Sequence, residues 1–434
     1  MRPMAIRADA RYRVVDEARI IDLLALGGWA HEIQHGEHAL AEKAAASVLD
    51  RWVVGGLPFA HSGDGGRYFD PAEVINFMKC AALREGDTFW EQRYIATGRR
   101  MVRGFHALEN GSSAPPPASA LTGAHFAVTL SREFDLGAAR AAARPLLRLP
   151  LPIEDEALRD LEIEAFAPPD VDVDFTIQPG RLDVRVAAAP RRAIAVGVHL
   201  SFTAYPALPA SSPAPLGAAE GALYTRPSEG LIKVSPRVRA LAAELAGTER
   251  EPWKVVRRFW SFMLDELTCG VLHYDQLDAS RPTDWVLETG WFDCQLGSAL
   301  LIALCRARGI PARLIGGYQL YPAAPSPHYW AEVWSNAHGW LPLDTICSDL
   351  SARGRDAAWR DCFFGCLDYR MKTQCLPRLF SQNPSMPLPP AWHMLARATG
   401  QGIEVGFFAN DEGALVYRDR ISVRREAHVR DPRR

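Results

Sequence analysis

The first 110 residues place apolar side chains at the spacing of amphipathic helices. One apolar group, Ile20 to Ala25, follows the acidic pair Asp16–Glu17, and a second recurs from about Glu37 to Val54. Further helices are predicted over Asp70–Arg84 and near Phe89–Phe105. Residues 1–110 are therefore predicted to form a helical N-terminal domain.

The pattern changes after residues 111–119, a segment rich in glycine, serine, alanine and proline that is typical of a linker. Beyond it, apolar residues alternate with polar ones or run together over strand lengths, and the turn pair Pro179–Gly180 separates two of these runs. This pattern predicts a β-sandwich domain over residues 120–208. The predicted strands are Ala124–Ser131, Leu161–Ala165, Val173–Gln178, Leu182–Ala188 and Ala193–Thr203.

Residues 225–380 combine helical and strand patterns, which predicts an α+β domain. Apolar residues at helical spacing form one broad face from Gln295 to Arg308. Gly309, followed by Pro311, marks a left-handed cap that ends this helix. The strands predicted to follow are Ala312–Tyr321, His328–Trp334 and Trp340–Asp344.

The last segment, residues 381–434, is predicted to be a β-hairpin extension that packs on this α+β domain. Its strands are the run Gly402–Phe408 and the group Leu415–Tyr417, and the polar group Asn410–Gly413 is the predicted turn. The fold class expected for the whole chain is thus α+β, with a helical domain and a β-sandwich ahead of the mixed core.

Composition and charge are those of a globular protein. The 434 residues carry a formal net charge of −2, which disfavours nucleic-acid binding driven by bulk charge. No apolar run has the length of a membrane span, and the N-terminus lacks the apolar core of a secretory signal, so a cytoplasmic protein is expected. The eight cysteines are spread along the chain, which predicts reduced thiols rather than a disulfide framework.

A cysteine at the start of the predicted Gln295–Arg308 helix carries the strongest chemical signal. Cys294 occupies the helix N-terminus, where the macrodipole and the free amides of the first turn favour an anion. We therefore expect a depressed thiol pKa, a reactive thiolate, and amides that can hold an oxyanion. Cys305 lies deep in the same helix and is predicted to be a core residue.

The two strands that close this region predict a histidine–aspartate pair. If Trp334 pairs with Trp340, then Asp344 lies opposite Trp330 and points to the same face as His328. The carboxylate can then fix the tautomer of the imidazole and stabilise its cation. A shift of the register by one residue would instead place the two side chains on opposite faces.

Each of these three residue types also has a common structural role. A lone cysteine is usually a small buried hydrophobe, a histidine on a strand is often a satisfied polar group, and an aspartate at a strand end commonly forms a turn. Their occurrence together, in this order and topology, favours catalysis. The predicted nucleophile, base and orienting carboxylate are Cys294, His328 and Asp344.

Two other groups have the residue types of metal ligands. Residues 31–35 match the H-E-x-x-H zinc signature, in which His31 and His35 share a helix face and Glu32 acts as a base. Glycines just before and just after this motif interrupt the helix that it needs, and no third ligand stands out downstream. A weaker metal candidate is the set Cys362, Cys366 and Cys375. No metal is expected at either place, because such short motifs often occur by chance.

The blocks around the predicted triad resemble the transglutaminase-like superfamily of cysteine enzymes. Cys294, with a helix that ends in the run Leu304–Arg313, is similar to the family's nucleophile helix, and Gly316–Tyr318 resembles the strand that follows it. His328–Trp334 and Gly339–Asp344 resemble the family's histidine and aspartate blocks. The resemblance implies a papain-like core, in which a helix packs on an antiparallel sheet and carries the cysteine of a Cys-His-Asp triad.

The resemblance covers about residues 250–370. The predicted β-sandwich, with Leu149–Pro152 near its start, is similar to the β-domain that often precedes such cores. The helical N-terminal segment has no recognised counterpart in the family.

The segment just before Cys294 departs from the family pattern. The family often has a glycine two residues before the cysteine, whereas this chain has Phe292 there and its glycine at Gly290. The departure leaves the second oxyanion donor open. Aromatic candidates for that donor, each also typical of a core or a pocket wall, are Tyr274, Trp285 and Trp291.

The triad and the resemblance together imply acyl transfer through a thioester on an amide substrate, as an amidase, a peptidase or a transamidase. Hydrolysis is favoured because many family members resemble hydrolases, although the acceptor is not identified by the sequence. Three alternatives stay open: a biosynthetic acyltransferase that uses a carrier-protein thioester, a non-catalytic binding module, and a zinc hydrolase that uses His31 and His35. The expected partner is a peptide, amide or acyl-thioester substrate, with no cofactor, nucleic acid or membrane.

Overall fold

The structure is a computed structural model of the chain. Among the residues that it describes, no helix is both long and apolar enough to cross a membrane. The described residues are 15–25, 40–61, 63, 65–83, 86, 88, 122–135, 146–187, 193–210, 213–272, 277–278, 280–322, 325–352, 357–376, 393–399, 402–408 and 416–426.

The N-terminal part is a small unit of helices on a three-stranded sheet. Three predicted helices are present, and their apolar faces meet in one cluster that includes Ile20, Leu49 and Trp52. The fourth predicted helix, near Phe89–Phe105, lies outside the described residues. The elements are β1 (Val15–Asp16), α1 (Glu17–Ala25), α2 (Glu42–Val54), β2 (Ala60–His61), β3 (Arg67–Phe69) and α3 (Pro71–Leu83).

The second part is a β-sandwich of two antiparallel sheets. The larger sheet has the strand order β20-β4-β9-β6 and the smaller one the order β5-β8-β7, where the strands are β4 (Ala124–Asp135), β5 (Leu146–Pro150), β6 (Leu158–Phe166), β7 (Val173–Gln178), β8 (Arg181–Val186), β9 (Ala193–Ala204) and β20 (Val416–Glu426). Apolar side chains from both sheets, among them Phe126, Leu182 and Phe202, form a single buried cluster. The five predicted strands are all present, and β5 is an addition to them.

The last strand corrects the expected position of the C-terminal segment. We expected residues 381–434 to pack on the mixed core, but β20 pairs along its whole length with β4 of the sandwich. Arg420 and Glu133, which bond across this pair, are 287 positions apart, so no local pattern could reveal the pairing. The run Gly402–Phe408 (β19) pairs with His393–Thr399 (β18), and the predicted turn at residues 410–413 lies outside the described residues.

The third part is the mixed core, in which helices cover a four-stranded antiparallel sheet of order β16-β15-β14-β17. The predicted α+β core is confirmed here. Its elements are α4 (Ala218–Tyr224), β10 (Ser228–Glu229), β11 (Ile232–Lys233), α5 (Pro236–Ala246), α6 (Pro252–Glu266), β12 (Thr268–Cys269), α7 (Pro282–Thr289), β13 (Trp291–Phe292), α8 (Cys294–Ala307), β14 (Ala312–Gln319), β15 (Ser326–Ser335), β16 (Gly339–Leu343), α9 (Thr345–Ala352), α10 (Ala357–Cys362) and β17 (Arg370–Leu376).

Helix α8 is the centre of this core. Its side chains from Gln295 to Arg306 are all buried, and they pack against the sheet and against α5, α6 and α7. Gly309 follows the helix with a φ of 71°, the left-handed conformation predicted for its cap. A helix buried on all sides has a fixed position, so the residue at its start is held firmly.

The far end of the central sheet joins the mixed core to the sandwich. Tyr318, Tyr369 and Met371 belong to the buried cluster of the sandwich, although they lie on or beside strands of the central sheet. Lys372 of β17 adds an ion pair of 2.8 Å to Asp155 of the sandwich region. The sheet is therefore anchored at the sandwich on one side and covered by α8 on the other.

Candidate active site

Helix α8 presents Cys294 as its first residue. The preceding residue, Asp293, caps the helix: its carboxylate oxygen accepts hydrogen bonds from the backbone N–H groups of Gln295 at 3.0 Å and Leu296 at 2.8 Å. The residue Cys294 is partly exposed, in contrast with the fully buried Cys305 in the same helix. The predicted position of Cys294 at a helix start is confirmed.

The electrostatics of this thiol differ from the expectation. We predicted a depressed pKa, but burial raises the pKa of Cys294 well above its ordinary value, and the carboxylates of Asp293 and Asp344 act in the same direction. The backbone N–H of Tyr329 hydrogen-bonds the sulfur and opposes this shift without overcoming it. The resting side chain is therefore a neutral thiol that needs a base before it can react.

The capping carboxylate occupies two of the amides that we expected to hold an oxyanion. We predicted that free amides of the first helical turn would be available to an oxyanion, but the amides of Gln295 and Leu296 already donate to Asp293. Capping satisfies these donors and places a negative charge near the positive end of the helix dipole. These two amides are therefore not available to a carbonyl oxygen at this site.

The hairpin that carries the histidine and the aspartate has the predicted register. Trp334 pairs with Trp340, and the ladder continues to Ala331 opposite Leu343. The ladder ends at this pair, and Asp344, the next residue, lies with Oδ2 2.8 Å from Nε2 of His328. The prediction from the turn and the aromatic pair is confirmed.

His328 and Asp344 form a buried hydrogen-bonded pair. Nε2 of His328 lies 2.8 Å from Oδ2 of Asp344, and the two residues are 4% and 1% exposed. With Nε2–H donating to the carboxylate, the neutral imidazole carries its free lone pair on Nδ1. This ring nitrogen is the one that can accept a proton.

Three further donors surround the carboxylate of Asp344. The guanidinium of Arg370 donates to Oδ2 at 3.2 Å, the backbone N–H of Cys347 donates to Oδ1 at 3.0 Å, and the Cys347 thiol also hydrogen-bonds the carboxylate. Burial alone would raise the pKa of Asp344, but its interactions with His328, Arg370 and the Cys347 backbone hold that pKa well below its ordinary value. Asp344 is thus an ionised, fixed acceptor.

Arg370 is a residue of this buried cluster that sequence reasoning missed. Its side chain is buried and pairs with both Asp344 at 3.2 Å and Asp368 at 2.7 Å, while Tyr321 donates to Asp368 at 3.0 Å. It lies at the start of β17, 26 positions after Asp344, and no motif marks it. The sequence offered one signal for Arg370. An arginine inside a segment rich in aromatic residues is expected to be buried, and a buried arginine needs a carboxylate partner.

Cys347 lies in the first turn of α9, and Asp344 is the residue that caps this helix. Its sulfur accepts from Nε2 of Gln319 at 3.0 Å and from Nη2 of Arg370 at 3.4 Å. Burial raises the pKa of this thiol well above its ordinary value, and the charge of Asp344 raises it further. Cys347 therefore supports the aspartate as a neutral, buried donor.

Cys347, His328 and Asp344 also form the one group of three potential metal ligands found among the described residues, with ligand atoms within 4.8 Å of one another. The guanidinium of Arg370 contacts both Asp344 and Cys347, so positive charge is already supplied there. The zinc motif at residues 31–35 lies outside the described residues. Cys366 donates to the backbone carbonyl of Cys362 at 3.1 Å, and Cys375 contacts the Tyr224 hydroxyl instead of joining them.

The structure explains why the glycine before Cys294 stands at position 290 and not at position 292. Gly290 ends α7 with a φ of 75°, a left-handed conformation that favours glycine, so the glycine stands two residues earlier than the family pattern expects. Trp291 and Phe292 are buried, and Trp285 is partly exposed. Of the three candidate oxyanion donors, Trp291 is thus a buried core side chain and Tyr274 lies outside the described residues.

Part of the mixed core is similar to known proteins. Residues 239–345 match the profile of the transglutaminase-like superfamily. A protein-glutamine gamma-glutamyltransferase of Pseudomonas aeruginosa is 31% identical over 120 residues, which is 25% of this chain and 18% of that relative. The chain therefore spans less than a fifth of the length of the relative that it matches.

Two solved structures have weaker similarity. A candidate cysteine protease from Cytophaga hutchinsonii covers 71% of this chain and 92% of its own length, with 12% identity and a TM-score of 0.47. The periplasmic domain of TgpA from Pseudomonas aeruginosa covers 57% of this chain and 97% of its own length, with 19% identity and a TM-score of 0.29.

The sequence matches, the helix-and-sheet core and the buried His328–Asp344 pair agree with one another. Cysteine-based acyl transfer is the general chemistry of this group. Residues 239–345 of the chain form a domain of the transglutaminase-like superfamily.

Proposed function

We propose that this protein transfers an acyl group from an amide through a thioester on Cys294, with His328 as the general base and acid and Asp344 as the residue that orients His328. The observation that carries the proposal is the buried contact between His328 and Asp344 at 2.8 Å. The thiol of Cys294 lies next to this pair and accepts a hydrogen bond from the backbone N–H of Tyr329. Tyr329 follows His328 directly on β15, so that contact holds the sulfur beside the histidine strand.

The neutral state of the thiol sets the first chemical step. As the Cys294 sulfur attacks the carbonyl carbon, its proton passes to Nδ1 of His328. The carbon–nitrogen bond of the tetrahedral intermediate then breaks, and the imidazolium returns the proton to the departing nitrogen. The leaving group is ammonia from a carboxamide or an amine from a peptide.

The second half of the reaction returns the enzyme to its resting state. Water or an amine attacks the thioester carbonyl and gives its proton to His328. The carbon–sulfur bond breaks, and the imidazolium protonates the sulfur to restore the neutral thiol. Asp344 remains ionised throughout, because His328, Arg370 and the backbone amide of Cys347 all stabilise its charge.

The acyl donor that we propose is the side-chain amide of a glutamine in a peptide or protein. Support comes from the 31% identity to a protein-glutamine gamma-glutamyltransferase over the matched segment.

The raised pKa of Cys294 favours a route in which His328 removes the thiol proton during attack, since little thiolate is present at rest.

The test is intact-mass trapping of an acyl-enzyme with three donors: a blocked glutamine peptide, an ordinary peptide amide and an acyl-carrier thioester. Wild type is expected to release ammonia and to gain the mass of the glutamine peptide less ammonia, as a γ-glutamyl thioester, while Cys294→Ala gains no mass. Adding an alkyl amine should give the amide product if the acceptor is an amine, and only the acid if it is water.

Cys366→Ala is a matched control, because Cys366 is a partly exposed cysteine outside the proposed triad, and its thiol donates to the local backbone carbonyl of Cys362. It should form the adduct as wild type does. Failure of wild type to form any adduct with all three donors would contradict the proposal. An adduct with the carrier thioester alone would instead identify a biosynthetic acyltransferase.

A further inference from the structure

Helix α3 of the N-terminal unit buries a polar face as well as an apolar one. Val74, Met78 and Ala81 lie in the apolar cluster of that unit. Glu73, Asn76 and Lys79, spaced three residues apart, are also buried, at 4%, 4% and 7% exposure. Buried charged and amide side chains are costly unless they have partners, so the polar face must be bound to something specific.

The partner of that face is the segment of the mixed core around β12. Asn76 makes two hydrogen bonds to the backbone of Val271: its Nδ2 donates to the carbonyl at 2.9 Å, and its Oδ1 accepts from the N–H at 3.0 Å. Nζ of Lys79 donates to the carbonyl of Cys269 at 3.0 Å. Cys80 of the same helix packs against the apolar cluster of the mixed core.

The segment that α3 hydrogen-bonds, residues 269–271, lies against the strand that leads into Cys294. Strand β12 runs parallel to β13, with Thr268 opposite Trp291 and Cys269 opposite Phe292, and the N–H of Gly270 donates to the carbonyl of Phe292 at 2.8 Å. Strand β13 leads directly into the capping Asp293 and then into Cys294. A displacement of β12 would therefore move the helix cap that precedes the thiol.

The packing between these layers is tight. A Cβ on Gly270 would lie 2.5 Å from the ring of Trp291 and 2.8 Å from Oδ1 of Asn76, so the backbone passes directly between the two side chains. A Cβ on Gly297 of α8 would lie 2.4 Å from Phe292. These close approaches show that the layers are tightly packed, from α3 through β12 and β13 to α8.

We propose that Asn76 and Lys79 are positioning residues of the active site, and that the N-terminal helical unit holds Cys294 at its working distance from His328. The inference rests on the proposed function, since it assigns to these residues the placement of that nucleophile. Neither residue touches the substrate. They act through the backbone at residues 269–271, which aligns β13 and the cap of α8.

The test is the pH dependence of iodoacetamide alkylation at Cys294 in the full-length protein, resolved by peptide mass spectrometry. Asn76→Ala and Lys79→Met are expected to slow alkylation of Cys294 about tenfold at neutral pH, because a small displacement uncouples the thiol from its base. Their rate profiles should shift toward alkaline pH, since only spontaneous thiolate then reacts. Lys79→Arg keeps a donor for the Cys269 carbonyl and should recover most of the rate.

Glu251→Ala is the control for simple loss of stability. Glu251 caps α6 through the N–H groups of Trp253 and Lys254, and its own N–H donates to Glu249, so these contacts lie at the start of that helix. This variant should lose stability and keep the wild-type alkylation profile. If Asn76→Ala does not fold, the pair Lys79→Met and Lys79→Arg carries the same comparison.

The inference is overturned if folded Asn76→Ala and Lys79→Met alkylate Cys294 at the wild-type rate or faster, with the wild-type pH profile. Failure of the proposed function gives a different result. In that case wild-type Cys294 itself reacts no faster than the buried Cys305, before any substitution is made.

Discussion

Two cysteines of this protein occupy the same local motif with opposite consequences. Cys294 and Cys347 each lie in the first turn of a helix that an aspartate caps, Asp293 for the one and Asp344 for the other. Cys294 is the first residue after its cap and is partly exposed. Cys347 comes three residues after its cap and is 2% exposed, with its sulfur surrounded by polar donors.

The difference teaches that a helix start alone does not activate a thiol. Both thiols have a raised pKa, because burial and nearby carboxylates outweigh the helix dipole in both places. The two thiols differ in their exposure and in the role of the aspartate that caps each helix. The cap of α9, Asp344, is the acceptor of the His328 hydrogen bond, so the thiol beside it serves the carboxylate instead of attacking a substrate.

Loss of the exposed thiol should have the largest effect. Cys294→Ala is expected to lower acyl transfer by roughly four to six orders of magnitude, the range seen when a covalent nucleophile is removed. The reaction can be followed as ammonia release from a blocked glutamine peptide. Residual activity above about 1% of wild type would assign the nucleophile elsewhere, and Cys347 would be the first residue to examine.

Neutralising the orienting carboxylate should rank second. Asp344→Asn keeps the size of the side chain but loses the charge that stabilises the imidazolium of His328, so the rate is expected to fall by about 10³ to 10⁴. Measuring acylation and deacylation separately adds a check, since both steps use His328. A loss confined to one step would contradict the shared role.

Removal of the buried guanidinium should mainly affect stability. Arg370→Met leaves the carboxylates of Asp344 and Asp368 buried without their cation, and breaking such a pair costs about 3–5 kcal/mol. The free energy of unfolding can be measured by urea denaturation at neutral and at acidic pH.

The pH dependence of that deficit has a definite sign. In wild type, the pKa of Asp344 is depressed, so its stabilising contribution is present above the unfolded aspartate value of about 3.9 and is lost as the pH falls through the folded value. Without Arg370 the pKa of Asp344 rises, and protonation of that carboxylate relieves the buried charge. The deficit should therefore be largest at neutral pH and shrink toward pH 4; a constant deficit would contradict this account.

Loss of the buried thiol should have a moderate effect. Cys347→Ala removes one hydrogen bond to Asp344, and a bond to a charged group contributes about 1.5–3 kcal/mol, mostly to stability. Activity is expected to fall by no more than about tenfold, since His328 keeps its bond to the carboxylate. Intact mass should still show the acyl adduct. Absence of the adduct would reverse the roles of the two cysteines.

The smallest effect concerns the cap beside the nucleophile. Asp293→Asn keeps a side-chain oxygen that can accept from Gln295 and Leu296, and asparagine caps helices as well as aspartate does. It removes a negative charge that raises the pKa of Cys294. Alkylation of Cys294 at neutral pH should become a few-fold faster and its pH profile should move to lower pH. A slower reaction would mean that Asp293 assists the thiol.

Much of the site followed from local sequence patterns. The turn between two tryptophans set the Trp334–Trp340 register, and that register brought His328 and Asp344 together. The glycine and proline after α8 marked its end, and the apolar face that begins after Gln295 placed Cys294 at its start. These features depend on periodicity and turn chemistry, which are visible in short stretches.

Features that depend on distant contacts or on burial were missed. Arg370 meets Asp344 only because β17 returns beside β14, and β20 reaches β4 from the other end of the chain. The pKa of Cys294 was predicted with the wrong sign, because a position at a helix start says nothing about burial or about the carboxylate of Asp293. Capping by Asp293 could have been read from the sequence, since aspartate is a preferred N-cap.

The most direct test of Cys294 as the activated thiol is the time course of iodoacetamide labelling of wild-type protein at neutral pH, read at each cysteine by peptide mass spectrometry. Cys294 is partly exposed and next to the histidine strand, so it should be modified well before the buried Cys305 and Cys347. His328→Ala should slow its labelling selectively. Labelling of Cys294 no faster than that of Cys305 or Cys347 would contradict the account.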